Sequence, residues 1–330
     1  MAYEKKQISL IIEDICNEEG FNLKELSDDW VYQIQTKDKK NCFILNFKFP
    51  NNDAVNSRIC DDKSALSSLL EENGIPCVKH IYFERPDSPM YDDYGMFYKL
   101  NQMLEEYGEI VCKSNNGSGG HSVYLIKTQK ELEMAVFKIL AKNWSMAVCP
   151  KVDIKNEYRV IVENGRALLI YSKERPSVIG DGVLPISELI KGLDISHNDR
   201  VKNLDLEYIP KQGEKVVVAW KHNLGQGSLP VLIEDKNLVY KLASFALDVA
   251  KFLKLNFASI DIIRDEKDDL KILEINSGIM METFSRLSDE HYQIAKHIYK
   301  SAILDYLGEK RDLKPINIYE EISDKIKNEK

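Results

Sequence analysis

Residues 111–126, VCKSNNGSGGHSVYLI, set a lysine near the end of one strand-forming run, follow it with glycines and small polar residues, and return at once to a second β-branched run. A glycine loop held between two strands constrains the fold more than any other stretch of the 330 residues. The Gly-Lys-Ser/Thr step of a phosphate-binding P-loop is absent, and no helix follows the glycines, which argues against a dinucleotide-binding unit. What the loop offers is backbone N–H groups that approach an anion closely, with the Lys113 ammonium beside them. A flexible β-turn is the rival reading of NNGSGG.

Around this unit the chain alternates α and β. Spacing predicts a helix over 3–16, two strands in WVYQIQT and NCFILNFKF, a helix in DDKSALSSLLEENG, and a strand in IPCVKHIYF before the loop ERPDSPMYDDYG. After the glycine loop, Thr128 and Glu131 form a capping box for a helix with Leu132, Ala135, Val136, Ile139 and Leu140 inward. The Asn164-Gly165 step predicts a tight hairpin. A polar helical excursion is expected over roughly 185–212, then the strand EKVVVAW, a helix over about 236–254, a hairpin FASIDIIRDEKDDLKILEIN and a last helix over 288–307. The charged end is expected as a surface helix or a frayed tail.

Composition narrows the function classes. With 45 basic against 53 acidic residues and a net charge of -8, the chain has no general attraction for nucleic acid or an anionic membrane, although a basic cleft inside an acidic shell fits the same totals. The six cysteines form no Cys-x-x-Cys pair; they read as small core residues of a protein in a reducing, cytoplasmic setting. The N-terminus reads as an ordinary helix closed by Gly20, and no run reaches membrane-spanning length.

The C-terminal hairpin carries the second chemical signal. Side chains alternate along a strand, so Glu274 and Asn276 share a face while Leu273 and Ile275 point into the opposite layer. A turn centred near 267 and 268 sets Asp261 across from Glu274. Two carboxylates so close repel unless a cation lies between them, and hard oxygens at this spacing suit Mg²⁺. An exposed polar face is the bland alternative, against which FASIDII and KILEIN are too apolar.

A glycine loop between strands, the hinge-like CPKVD, an EYR triplet and a D…ExN hairpin, in that order over about residues 61–305, resemble the ATP-grasp superfamily. KERPSVIGDGVLPISELI is similar to the R-x-P…V-V-G-D-G…T-I-x-E-L-I passage of cyanophycin synthetases and fused glutathione synthetases, one residue shorter between proline and glycine. KHNLGQGSLP looks like their S-N-x-S-x-G-G stretch, and DDKSALSSLLEENGIP resembles the D-K…L-L…G-I-P opening shared with ribosomal-protein glutamate ligases.

The resemblance implies an α/β (α+β) ATP-grasp fold, two α+β subdomains clasping ATP behind a short N-terminal α/β segment. Its divisions are 1–108 for that segment and linker, 109–150 for the lid subdomain, 151–310 for the subdomain with the metal site, and 311–330 for the tail. Lys63 and Lys113 match lysines on the ATP phosphates, and Asn116, Gly117, Ser118, Gly119 and Gly120 match the lid loop. Cys149, Pro150, Lys151 and Val152 match the linker reading the adenine edge, with Asp153 or Glu157 near the ribose and Lys173 a further basic position. Arg159 matches the arginine facing the transferring phosphoryl group, with Lys113 and Asn276 sharing the catalytic role. Asp261, Glu274 and Asn276 match the ligands of two Mg²⁺ ions, for which Mn²⁺ can substitute. Arg175, His222, Asn223 and Gly227 match substrate-side positions. Each has a structural rival: Lys63 as a solvated helix lysine, Arg159 as a partner of Glu157 or another strand carboxylate, Lys173 and Arg175 as strand-end charges, and the His222-Asn223 step as a polar turn.

The implied function is an ATP-dependent carboxylate–amine ligase that forms an amide bond through an acyl phosphate, acting on small-molecule or peptide substrates. A small-metabolite kinase and a silent ATP-binding module are the alternatives on the same fold. Only about 60 residues precede the Lys63 helix, fewer than the full α/β domain usual in that group, so the acceptor is left open. Pairing into a homodimer is common in the group, and nothing in the sequence demands it.

Overall fold

The computed structural model describes residues 5–88, 95–117, 119, 122–193, 195, 201, 204–309 and 318–329. Helix α1 (Gln7–Glu19) buries Ile8, Ile11, Ile12 and Ile15 along one stripe, and Gly20 ends it in the left-handed conformation. Strands β1 (Asn22–Leu26), β2 (Val31–Gln35) and β3 (Asn41–Leu45) form an antiparallel sheet where the sequence predicts two strands. No residue of β1 is fully buried, so NLKEL lacks the apolar alternation that marks a strand. Two short helices follow, α2 (Ala54–Asp61) and α3 (Lys63–Glu72), capped by the Asp53 and Asp62 carboxylates.

The second unit is a four-stranded antiparallel sheet. Its elements are β4 (Ile81–Glu84), α4 (Met96–Tyr107), β5 (Ile110–Ser114), β6 (Val123–Ile126), α5 (Gln129–Leu140) and β7 (Ser145–Pro150), with strand order β4-β7-β5-β6. The Thr128–Glu131 capping box starts α5 as predicted. Both helices pack on the sheet around Leu100, Leu132 and Ile139. Since β4 and α4 lie upstream of residue 108, the boundary expected there cuts through this unit. Strand propensity marks IPCVKHIYF but does not say which sheet it joins.

The third unit contains β8 (Ile154–Glu163), β9 (Arg166–Glu174), β10 (Ser177–Ile179), α6 (Ile186–Leu189), β11 (Lys215–Val217), β12 (Leu229–Leu232), α7 (Lys236–Phe252), β13 (Phe257–Asp265), β14 (Leu270–Asn276), α8 (Glu282–Ser285), α9 (Asp289–Leu307) and α10 (Ile318–Glu329). Five strands form an antiparallel sheet in the order β12-β9-β8-β13-β14. Asn164 and Gly165, at φ 45° and 76°, make the tight turn between β8 and β9. The helical excursion expected over 185–212 shrinks, among the described residues, to the single turn of α6 between β10 and β11.

One large core joins the front of the chain to the five-stranded sheet. Phe49 lies 5.1 Å, centroid to centroid, from both Phe257 and Tyr299, and α1 packs on α9. The four-stranded unit has its own core and meets the rest along residues 76–78, where Val78 N–H donates to the Ile272 carbonyl (2.9 Å) and Ile272 N–H to the Pro76 carbonyl (2.9 Å). Within the charged end, expected as a surface helix or a frayed tail, α10 docks on β9 and α7, burying Tyr319, Ile322 and Ile326. The Tyr319 hydroxyl meets the main chain of Ile233, and that of Ser323 meets Ala167, which satisfies backbone groups beside the sheet.

Candidate active site

A cavity of about 800 Å³ opens between the four-stranded and five-stranded sheets. Eight Lys and Arg residues line it against five Asp and Glu, a basic cleft in a chain of net charge -8.

Its phosphate-sized end is built by α3 and β5. Lys63 opens α3, Lys113 stands near the end of β5, and they are only 9% and 6% exposed. The Lys63 ammonium donates to the Gly117 carbonyl (2.6 Å), and among the described residues neither lysine pairs with a carboxylate. Lys63 is therefore no solvated helix lysine. Burial pushes its pKa down, Lys113 adds to that, and the Glu274 charge opposes it. Behind the pair, buried His80 has an unpartnered Nε2 and is held neutral by burial and by the two lysines. Two adjacent buried ammoniums with no carboxylate in ion-pair contact among the described residues fit a polyphosphate.

The glycine loop closes over that end. Asn116, Gly117 and Gly119 line the cavity; Ser118, Gly120 and His121 lie outside the described residues. A Cβ on Gly117 would stand 2.8 Å from the Ser114 Cβ, so the loop's close fold requires glycine there. From the opposite wall the Asn223 amide donates to the Gly119 carbonyl (2.7 Å).

Beside the lysines, Val78, Val111, Cys149, Val152, Ile154 and Leu273 form an apolar slot suited to a flat aromatic base. Pro150, Lys151 and Asp153 also line it, with Lys151 paired to Asp153. Cys149 is thus a wall residue as well as a buried one. Leu273 departs from the expected alternation. Asp261 pairs with Glu274 as predicted, but Ile262 then pairs with Ile272, and this bulge frees Leu273 to face the slot beside Glu274. Alternation along β5 places Val111 on the face of Lys113 and so within reach of the sequence; Val78 and Ile154 arrive by tertiary packing without a local signal.

At the other end Glu274 and Asn276 line the cavity, with Asn276 Nδ2 3.4 Å from Glu274 Oε1. Asp261 is fully buried and does not line it. Its Oδ1 accepts from Arg159 Nε (2.7 Å), and its Oδ2 from Arg159 Nη2 (2.8 Å) and Lys173 Nζ (2.7 Å). Lys173 also donates to Glu157 Oε1 (2.6 Å). Burial would raise the Asp261 pKa, but the two cations outweigh it and hold the carboxyl below the usual range. Arg159 is shifted up, burial being overcome chiefly by Asp261. Arg159 thus pairs with a strand carboxylate, and the partner is the aspartate expected to bind metal. Lys173 is a buried ion-pair hub instead of a strand-end charge, and Glu157 is committed to it. Among the described residues no three His, Cys, Asp or Glu side chains are grouped to hold a metal.

The remaining wall comes from 173–175, 220–225 and the front of the chain. Arg175 lines the cavity without an ion-pair partner among the described residues. His222 Nδ1 is 2.6 Å from the Lys173 carbonyl, and the Asn223 carboxamide oxygen accepts from Gly225 N–H (3.0 Å). Gly227 does not line the cavity; at φ 91° it closes the turn over Leu224–Gln226, and Gly225 faces the cleft in its place. Trp220, Lys221, Phe47, Lys48 and Asp61 are lining residues that sequence reasoning misses. Lys48 pairs with Asp61 and donates to Ser277 Oγ (3.2 Å), a contact between segments far apart in the chain that leaves no local signal.

No protein-family model matches the chain. It is 24% identical over 310 residues to the bifunctional glutathione biosynthesis protein GshAB of Clostridium perfringens, which covers 86% of this chain and 38% of the relative. It is 24% identical over 247 residues to cyanophycin synthetase of Geminocystis herdmanii, covering 67% and 26%. The chain therefore spans well under half the length of these relatives. Among solved structures it is similar to a bifunctional glutathione synthetase from Pasteurella multocida (TM-score 0.52, 15% identity, 89% of this chain and 43% of that one). It is also similar to D-alanine–D-alanine ligase from Bacillus anthracis (TM-score 0.51, 16% identity, 84% and 71%). Two α+β units clasping one basic cleft, shared with these solved structures, are the ATP-grasp fold, and this chain has that fold.

Proposed function

We propose that the chain is an ATP- and Mg²⁺-dependent carboxylate–amine ligase. The observation that carries the reading is the pair of buried ammoniums of Lys63 and Lys113, without a carboxylate in ion-pair contact among the described residues, in one cavity with an apolar slot, Glu274 and Asn276. Lys63 and Lys113 hold the phosphates, the slot from Val78 to Leu273 takes the adenine, and the loop around Gly117 and Gly119 excludes water. The Glu274 carboxylate and the Asn276 amide oxygen are hard donors that hold a divalent ion. When bound, Mg²⁺ neutralises charge on the transferring phosphoryl group.

The substrate carboxylate takes the γ-phosphoryl group and releases ADP, because a carboxylate at neutral pH is a poor electrophile. An amine then attacks the acyl carbon, loses a proton and expels phosphate. Arg159, anchored by Asp261 through two of its five N–H donors and held also by Tyr171, presents donors that remain to the acyl phosphate. Arg175, His222 and Lys221 bound the end where the acid or the amine binds. Both relatives and both structural neighbours are, by name, proteins that build peptide or amide bonds, which favours this reading over a kinase.

The test is a screen of amino acids and short peptides, singly and in pairs, for Mg²⁺-dependent phosphate release. Release that needs an acid and an amine together supports the ligase; ADP formation with one hydroxylated compound contradicts it. Glu274→Gln is expected to lower turnover by about 10³-fold with the melting temperature unchanged.

A further inference from the structure

We propose that Asp261 is a positioning residue whose carboxylate clamps Arg159 and Lys173 to the cleft wall, and that the divalent ion is held by Glu274 and Asn276 without it. This rests on the ligase reading above and departs from the ligand set that the family resemblance implies. Three observations carry it. Asp261 has no exposed surface and is not a lining residue, whereas Glu274 and Asn276 both are. Its two oxygens already accept three charge-assisted N–H bonds of 2.7, 2.8 and 2.7 Å, from Arg159 twice and Lys173 once. Glu274, by contrast, has no cation in ion-pair contact with its carboxylate among the described residues, and the Asn276 amide approaches it only weakly, at 3.4 Å.

Ligation by Asp261 would have to use the one acceptor site left on a fully buried carboxylate, or break a bidentate arginine pair and abandon a buried guanidinium. Glu274 feels the charges of Lys63, Arg159 and Lys173 but has no direct ion pair to break among the described residues. The register explains the division of labour. Asp261 stands opposite Arg159 on β8 and opposite Glu274 on β14, so it is flanked by a cation on one side and a carboxylate on the other. With Glu157 on the far side of Lys173, the cluster holds two cations and two carboxylates and is neutral by itself. Glu274 is then the carboxylate left over to face a cation in the cavity.

The experiment measures how Mg²⁺ changes ADP affinity by calorimetry, counts Mn²⁺ bound with ADP by electron paramagnetic resonance, and follows turnover for Asp261→Asn and Glu274→Gln. Asp261→Asn is expected to keep the Mg²⁺ effect and the Mn²⁺ count within about threefold while turnover falls about 10²-fold; Glu274→Gln loses the Mg²⁺ effect. If Asp261→Asn does not fold, the charge-balanced pair Lys173→Met with Asp261→Asn takes its place. Loss of the metal effect in folded Asp261→Asn or in that pair overturns the proposal, as does unchanged turnover. Absence of any Mg²⁺ effect in the unaltered protein would instead remove the ligase reading itself.

Discussion

Two charge clusters, one beside the β8–β9 turn under α10 and one in the cleft, are balanced differently. Beneath α10, Arg166 donates to Glu320 (2.7 Å), His297 lies 3.3 Å from the same carboxylate, and Glu163 accepts from the Ser301 hydroxyl. Each group there has a partner from a neighbouring element. In the cleft, Lys63 and Lys113 are as deeply buried and have no carboxylate among the described residues. Desolvating an unpaired charge costs far more than desolvating a paired one, so a fold keeps such groups only where a ligand supplies the missing charge. Pairing, more than burial, separates the cluster that holds helices together from the one proposed to bind phosphate.

The comparison breaks most visibly at Glu320. Glu320→Gln should lower stability by about 3 kcal/mol, read by urea unfolding, because Arg166 loses a buried partner. Turnover per folded molecule should stay unchanged, since the cluster lies outside the cleft. A loss of activity without a loss of stability would show that the two clusters are not independent.

Glu163 gives a pH signature. Burial lifts its carboxyl from an ordinary 4.5 to about 7, with the Ser301 hydroxyl opposing. The folded protein therefore holds this proton more tightly than the unfolded chain, and its contribution to stability is complete below pH 4.5 and lost as pH rises through 7. Glu163→Gln should be nearly neutral at pH 4.5 and more stable than the unaltered protein by on the order of 2 kcal/mol at pH 8. Equal stability differences at both pH values would contradict the assignment.

A smaller effect sharpens the other side. Asn223→Ala removes the neutral hydrogen bond to Gly119 and the one accepted from Gly225 N–H, each worth about 1 kcal/mol, and should raise the KM for ATP about fivefold with stability lower by about 1 kcal/mol.

Local patterns carried much of this architecture. Alternation and an estimated turn centre put Asp261 opposite Glu274, Asn164-Gly165 marked its hairpin, and Thr128 with Glu131 marked the start of α5. What stayed hidden was set by contacts between distant segments. The docking of α10, the reach of Phe47 and Lys48 into the cleft and the pairing of Asp261 with Arg159 and Lys173 depend on which strands become neighbours. The bulge at Leu273 was invisible for a related reason: one unpaired residue breaks the period-two rule on which face assignments rest. β1 and α2 escaped because each buries so little that composition does not mark them.

The most direct test is a calorimetric titration of ADP with Mg²⁺ into the unaltered protein and into Lys113→Met. Lys113 is expected to contribute a charge-assisted contact to phosphate, so the substitution should weaken binding by about 10–100-fold while the fold stays intact. Equal affinity in the two proteins would mean that the buried ammonium does not meet the nucleotide, and the account of the cleft would fail.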